Sequence, residues 1–199
     1  MEANRRGKNI LLIGYRGTGK STLGKRLAEA LGLAFLDMDR MIVDEQGYSI
    51  SRIVQERGWP YFRQLEGNLL QRLSEEKGRV IATGGGIILD PENRSLLEKM
   101  GWVVWLKADT DVMVERLQGD LEGAKQRPAF SDRDLREETE MILQERNPLY
   151  ESVCDMVLDT TDLSLGESVD EIVRIIHKRL KSGAGTEKGI MRPIRRPLF

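Results

Sequence analysis

A glycine-rich segment near the start of the chain, GYRGTGKST, carries the residue types that bind phosphate. It matches the pattern G-x-x-x-x-G-K-S/T at Gly14, Gly19, Lys20 and Ser21, with an apolar strand before it and a helix after it. Glycines let backbone N–H groups converge on phosphate oxygens, the lysine reaches the terminal phosphates, and the serine hydroxyl can bind Mg²⁺. The segment predicts a nucleoside triphosphate site, but it leaves open whether the phosphate goes to water, a protein or a small acceptor.

Two carboxylates, Asp37 and Asp39, end the second predicted strand, LAFLDMD. The period of two of a strand points both to one side, at the sheet edge where ligands bind. One could then help to hold Mg²⁺, and the other could accept a hydrogen bond, and a proton, from an acceptor hydroxyl. The alternative is one helix N-cap and one solvated acid.

Arginines interrupt the apolar faces of two predicted helices. In WPYFRQLEGNLLQRL, Glu66 falls inside the apolar stripe and Arg63 at its edge, three residues apart, so that the two can pair. Either this pair is structural or Arg63 has one side available to an anionic ligand. Arg146 shares a stripe with Ile142, and it either extends outward to solvent or meets an anion. Two inward arginines would indicate a carboxylate or phosphate on the acceptor.

Two further segments suit a ligand site. Gly84, Gly85 and Gly86 follow the third predicted strand, where they favour close approach of a ligand to the backbone over a flexible turn. The polar stretch 118–133 separates two predicted helices, and a long loop of this kind is often a lid. Its Arg127 could reach the transferring phosphoryl group; the alternative is a solvated surface loop.

The composition limits the class of protein. The 199 residues carry 31 basic and 32 acidic side chains, and this balance gives no electrostatic signature of nucleic acid or of an anionic membrane as partner. Cys154 is the only cysteine, so no internal disulfide is possible. The segment MEANRRGKN lacks the apolar stretch of a signal peptide, and no apolar run is long enough to span a bilayer. A cytoplasmic protein is expected.

Strands alternate with helices along the chain, which predicts an α/β fold with a mainly parallel sheet. The predicted strands are nearly all apolar, as expected for a sheet covered on both faces. They are KNILLIG, LAFLDMD, RVIATGGG, WVVWLKA and DMVLDT. We expect residues 1–8 to be a flexible N-terminus, 9–181 to form one domain, and 182–199 to be a disordered tail.

Together these motifs resemble the shikimate kinase family, within the nucleoside-monophosphate-kinase-like P-loop proteins. The motifs are GYRGTGKST, DMD, YFRQLE, GGG, QRP and ERNPLY, in the family's order and at close to its spacing. The resemblance implies a three-layer P-loop fold with a five-stranded parallel sheet of order 2-3-1-4-5, flanked by helices, and a mobile lid. It implies a monomeric, Mg²⁺-dependent transferase that phosphorylates the 3-hydroxyl of shikimate with ATP, on the route to chorismate and the aromatic amino acids.

The resemblance also implies roles for individual residues at the nucleotide. The ATP phosphates are expected to contact Gly17, Thr18, Gly19, Lys20, Ser21 and Thr22. Ser21 and Asp37 would hold the metal, Arg116 would lie near the adenine, and Arg127 would come from the lid to the phosphates.

On the acceptor side, Asp39 would bind shikimate hydroxyls and is the candidate base. The other residues expected at shikimate are Phe62, Arg63, Gly84, Gly85, Gly86 and Arg146, with the two arginines on its carboxylate. The implied catalytic residues are Lys20, Asp39 and Arg127.

Two departures from the family pattern stand out. The lid is a few residues longer than the commonest form, and Leu163 occupies the place where many members carry a basic or polar residue near adenine. A gluconate-type or other small-molecule kinase, a P-loop regulatory switch and a catalytically inactive module are the alternatives. The presence of Lys20, Asp39 and Arg127 argues against an inactive module.

Overall fold

The computed structural model describes residues 9–120 and 134–182. The strands are β1 Asn9–Ile13, β2 Ala34–Asp37, β3 Arg79–Ala82, β4 Gly101–Lys107 and β5 Met156–Asp159. The helices are α1 Lys20–Leu31, α2 Met38–Gln46, α3 Ile50–Leu73, α4 Pro91–Met100, α5 Thr110–Gly119, α6 Leu135–Val153 and α7 Leu165–Ser182. A short 3-10 turn, Ile87–Leu89, precedes α4. No helix in the described ranges is both long and apolar enough to cross a membrane.

The five strands form one parallel sheet in the order β2-β3-β1-β4-β5. Strand β1 lies at the centre, where Ile10 is opposite Val80 of β3 on one side and Trp102 of β4 on the other. Every residue of β1 is buried, as a parallel strand with helices on both faces requires. The fold class and the strand order expected from the resemblance are confirmed.

Two apolar clusters cover the two faces of the sheet. Successive side chains of β1 alternate between them, so that Leu11 belongs to one cluster and Leu12 to the other. The first cluster holds side chains from α2, α3, α4 and α6, and the second holds side chains from α1 and α7. The sheet is therefore the middle of three layers, and the carboxyl ends of its strands lead into the loops that form the clefts described below.

The boundary between β2 and α2 differs from the prediction. The strand ends at Asp37, whose carboxylate accepts hydrogen bonds from the backbone N–H groups of Asp39 (3.1 Å) and Arg40 (3.3 Å) and so caps α2. Asp39 therefore lies in the first turn of a helix. The prediction that both aspartates belong to the strand was wrong, because the cap ends the strand at Asp37, which is the helix N-cap of the alternative. Both side chains nevertheless line a cleft at this edge of the sheet.

Two helices also differ from their predicted bounds. Helix α3 contains both of the predicted helices in this region, interrupted at Gly58, whose φ of 78° and ψ of 167° are not helical. Helix α6 does not end before NPLY but continues through Pro148 to Val153. Arg146 consequently lies inside the helix, four residues before the buried Tyr150 and on the same face.

Candidate active site

The phosphate-binding segment connects β1 to α1 and folds around its own lysine. Lys20 is buried, and its ammonium group donates to the carbonyl oxygens of Gly14 (2.8 Å) and Tyr15 (2.9 Å). The Thr18 hydroxyl donates to the same Tyr15 carbonyl at 2.7 Å. Gly19, at the N-cap of α1, has a φ of 86°, which favours glycine. This arrangement leaves the helix N-terminus facing a cleft, as an anion site requires.

The larger of the two clefts, of about 1950 Å³, lies over this segment. All six residues predicted to contact ATP phosphates line it: Gly17, Thr18, Gly19, Lys20, Ser21 and Thr22. Arg116 of α5 also lines it, and its guanidinium donates to the carbonyl oxygens of Gly17 (3.4 Å) and Thr160 (2.9 Å). Leu163, which stands where many family members carry a basic or polar residue, lines the same cleft.

Ser21 and Asp37, the predicted metal ligands, are in direct contact. The Ser21 hydroxyl donates to Oδ2 of Asp37 at 2.5 Å, while Oδ1 of Asp37 caps α2. Within residues 9–120 and 134–182, no group of three or more His, Cys, Asp or Glu side chains could hold a metal alone. A hydroxyl and a carboxylate beside a phosphate site nevertheless fit Mg²⁺, which takes few protein oxygens and completes its shell with phosphate and water.

A smaller cleft, of about 410 Å³, adjoins the first. All seven residues predicted at the acceptor line it: Asp39, Phe62, Arg63, Gly84, Gly85, Gly86 and Arg146. Arg16 and Asp39 line both clefts, so the two clefts meet at these side chains.

Arg63 and Glu66 form the ion pair that their spacing allows. The Arg63 guanidinium donates to the Glu66 carboxylate and lies over the rings of Trp59 and Phe62, at 5.0 and 5.5 Å from their centroids. Burial raises the pKa of Glu66 to about 7, although Arg63 opposes this shift. In the described part of the chain, the buried Oε1 of Glu66 accepts no hydrogen bond. The structural pair is confirmed, and Arg63 also lines the cleft.

Two of the three glycines, Gly84 and Gly86, provide room for charged side chains. A Cβ atom on Gly84 would overlap Oε1 of Glu66 and lie 3.0 Å from Oδ1 of Asp39. A Cβ atom on Gly86 would overlap the Arg63 guanidinium. Side chains at these positions would displace the groups that line the smaller cleft.

Arg146 does not extend outward to solvent. It is only 7% exposed, and its guanidinium donates to the Gly85 carbonyl at 3.3 Å. The Tyr150 hydroxyl donates to the same carbonyl, and its ring stacks on Trp105 with centroids 5.7 Å apart. Burial raises the pKa of Tyr150, so its hydroxyl stays protonated as a donor. These contacts attach α6 to the three glycines Gly84–Gly86.

Comparison with known proteins assigns the chain to a family. The sequence model of the family described as "Shikimate kinase" matches residues 16–177, most of the 199-residue chain. The chain belongs to the shikimate kinase family.

Relatives and solved structures of the shikimate kinase family agree with this assignment. A shikimate kinase from Syntrophus aciditrophicus (strain SB) is 41% identical over 175 residues, which cover 84% of this chain and 90% of that protein. The structure of a shikimate kinase from Acinetobacter baumannii in complex with shikimate superposes with a TM-score of 0.81 at 32% identity, covering 88% of this chain and 96% of that one. A shikimate kinase structure from Aquifex aeolicus gives a TM-score of 0.72 at 32% identity, covering 86% and 97%.

Sequence reasoning left several residues of the clefts unassigned. Ile50 and Trp59 line the smaller cleft, and Trp59 lies three residues before Phe62, a spacing that indicates a shared helix face. Tyr15 and Arg16 occupy variable positions of the phosphate-binding pattern, and no sequence signal marks them. Arg127 and the predicted lid from residue 121 onward lie outside the described residues, as do residues 1–8 and 183–199.

Proposed function

We propose that this member of the shikimate kinase family transfers the γ-phosphate of ATP to the 3-hydroxyl of shikimate, forming shikimate 3-phosphate and ADP. The observation that carries the proposal is the meeting of two clefts at Asp39, one above the phosphate-binding segment and one lined by two arginines. A phosphoryl donor and a small anionic acceptor bound in these clefts would have their reacting groups side by side.

The smaller cleft suits an acceptor that carries a carboxylate. Arg63 and Arg146 come from separate helices and both line it, so that two guanidinium groups can share one carboxylate in charge-assisted hydrogen bonds. Phe62 gives the cleft an apolar wall for a carbon ring, and the backbone of Gly84, Gly85 and Gly86 also lines it and offers polar groups.

Asp39 is proposed to bind the acceptor hydroxyl that receives the phosphoryl group. Its carboxylate can accept the hydroxyl hydrogen bond, orient the oxygen toward the neighbouring cleft and take its proton. Because phosphoryl transfer has a loose transition state, orientation by Asp39 supplies much of its effect.

The larger cleft is proposed to hold ATP. Lys20 would interact with the terminal phosphates, Ser21 and Asp37 would hold Mg²⁺, and Arg116 would lie beside the adenine. The metal would neutralise charge on the phosphate oxygens. Arg127 remains a prediction from the sequence, and its substitution by alanine should mainly lower kcat.

A monomeric, cytoplasmic enzyme is part of this proposal. All the residues proposed for the site belong to one chain, so a second copy is not needed to complete it. A single cysteine, buried in the first apolar cluster, suits a reducing compartment.

An assay of acceptor specificity tests the proposal. ADP release is measured with ATP and Mg²⁺ against shikimate, gluconate and nucleoside monophosphates, and the product is identified by mass and by the position of its phosphate. We expect turnover that depends on shikimate and a product phosphorylated on the 3-hydroxyl. Turnover on gluconate or a nucleotide without turnover on shikimate would refute the proposal.

A further inference from the structure

Arg16 joins the phosphate-binding segment to α6. Its guanidinium forms an ion pair with Glu138, in the first turns of the helix, and its Nε donates to the Tyr15 hydroxyl at 3.0 Å. The side chains of Arg16 and Glu138 are only 11% and 3% exposed. The pair therefore lies largely out of water, where removal of one partner leaves the other charge buried and uncompensated.

Tyr15 makes a second connection between the same two elements. Its side chain is 1% exposed, and its hydroxyl interacts with the side chain of Thr139, which is fully buried. Two consecutive residues of the phosphate-binding segment thus contact two consecutive residues of α6. Such paired contacts fix both the distance and the rotation of a helix.

The same face of α6 carries the proposed carboxylate ligand. Glu138, Ile142, Arg146 and Tyr150 are spaced four residues apart and so share one face. Glu138 and Arg146 are separated by about 12 Å along the axis, at a rise of about 1.5 Å per residue. Helix α6 is attached near its start by Glu138, and about two and three turns later by the contacts of Arg146 and Tyr150 with Gly85.

We propose that Arg16 is a positioning residue, whose ion pair with Glu138 sets the placement of α6 and thereby holds the Arg146 guanidinium over the smaller cleft. This inference rests on the proposed function, because it assigns Arg146 to the carboxylate of shikimate. The Arg63–Glu66 pair lies within one helix and orients a single side chain, whereas the Arg16–Glu138 pair connects two elements. Its partner Glu138 lines neither cleft.

The test compares shikimate affinity in variants of the full chain. The Kd for shikimate is measured by isothermal titration calorimetry for the wild type, Arg16→Met, Glu138→Gln and the double variant. We expect each single change to raise this Kd about tenfold, and the double variant to match the singles because the two residues act as a unit. The Kd of Glu138→Gln for ADP should stay within about twofold of the wild type. Glu137→Gln, an exposed neighbour on the same turn, is the matched control.

Unchanged or tighter shikimate binding by Glu138→Gln would overturn the inference, because Arg16 would then act on the acceptor directly or serve stability alone. A parallel loss of shikimate and ADP affinity would also overturn it. Glu138→Asp, which keeps the charge, should recover part of the lost affinity. If Glu138→Gln fails to fold, Thr139→Val removes the second connection and is measured in the same way, with the same expected selective loss. A wild type that binds ADP but not shikimate would refute the proposed function itself.

Discussion

The Arg63 guanidinium donates a hydrogen bond to the Glu66 carboxylate one helical turn further along α3, and the two partners differ greatly in exposure. The Arg63 side chain is 24% exposed at the smaller cleft, whereas that of Glu66 is 1% exposed beneath it. The buried carboxylate thus orients a guanidinium that also lines the smaller cleft. Burial disfavours the ionised form of Glu66 and so raises its pKa from 4.5 to about 7.

This raised pKa predicts how Glu66 affects stability across pH. Between pH 4.5 and 7 the folded chain holds a proton on Glu66 that the unfolded chain has lost, so the contribution of this group to stability falls as the pH rises. Relative to Glu66→Gln, the wild type should lose up to about 3 kcal/mol of unfolding free energy across this window. Urea unfolding at several pH values measures it. Glu56→Gln, an exposed change on the same helix, is the control, and parallel profiles for wild type and Glu66→Gln would contradict the prediction.

The two cleft arginines predict a selective loss of acceptor affinity. Arg63→Ala and Arg146→Ala should each weaken shikimate binding by about 2–3 kcal/mol, because each removes a charge-assisted hydrogen bond. The Kd for ADP should change little in both. Calorimetric titration checks the prediction, with Arg72→Ala as an exposed arginine control on α3. Wild-type shikimate affinity in both variants would exclude a carboxylate clamp.

The elements that could be predicted from the sequence are those set by local patterns. The strands were recognisable because each is a continuous apolar run, and the phosphate-binding loop because Gly19 and Lys20 follow one strand and precede a helix. The orientation of Asp39 was not predictable, since it depends on the residue at which β2 ends. That residue is decided by the cap that Asp37 provides.

Contacts between distant parts of the chain could not be predicted from the sequence alone. Arg16 and Glu138 are 122 residues apart, and nothing in either local pattern indicates the other. Arg146 and Gly85 are similarly distant, at 61 residues. These pairs form because the parallel sheet brings the loops after β1 and β3 to the same edge, where α6 packs across them.

The contact between Ser21 and Asp37 predicts a change in metal requirement. Asp37→Asn removes a negative oxygen from the proposed Mg²⁺ site and should raise the Mg²⁺ concentration for half-maximal activity by about tenfold or more. Stability should change by less than about 0.5 kcal/mol, because asparagine caps helices nearly as well as aspartate. Asp90→Asn, which alters the N-cap of α4 away from both clefts, is the matched control. An unchanged Mg²⁺ dependence would remove Asp37 from the site.

The position of Asp39 where the clefts meet predicts a loss in the chemical step. Asp39→Asn should lower kcat by about a hundredfold or more, as expected when a group that orients and deprotonates the hydroxyl is lost. The ADP affinity should be retained. Steady-state kinetics with saturating shikimate measures the effect, and Asp44→Asn, an exposed change on the same helix, serves as control. A kcat within about threefold of the wild type would mean that Asp39 has no part in the reaction.

The packing of charged groups against Gly84 predicts that this position tolerates no side chain. In Gly84→Ala, the new Cβ would overlap Oε1 of Glu66, a carboxylate that is buried and paired with Arg63 and so has little room to move. We expect a loss of about 1–3 kcal/mol in unfolding free energy, as for other overpacked sites, together with weaker shikimate binding because Arg63 is displaced with its partner. Gly166→Ala in α7, where a Cβ meets no atom within 4 Å, is the matched control and should keep its shikimate affinity and lose no stability. Wild-type stability and affinity in Gly84→Ala would show that Glu66 can move aside, and that the cleft does not depend on its present position.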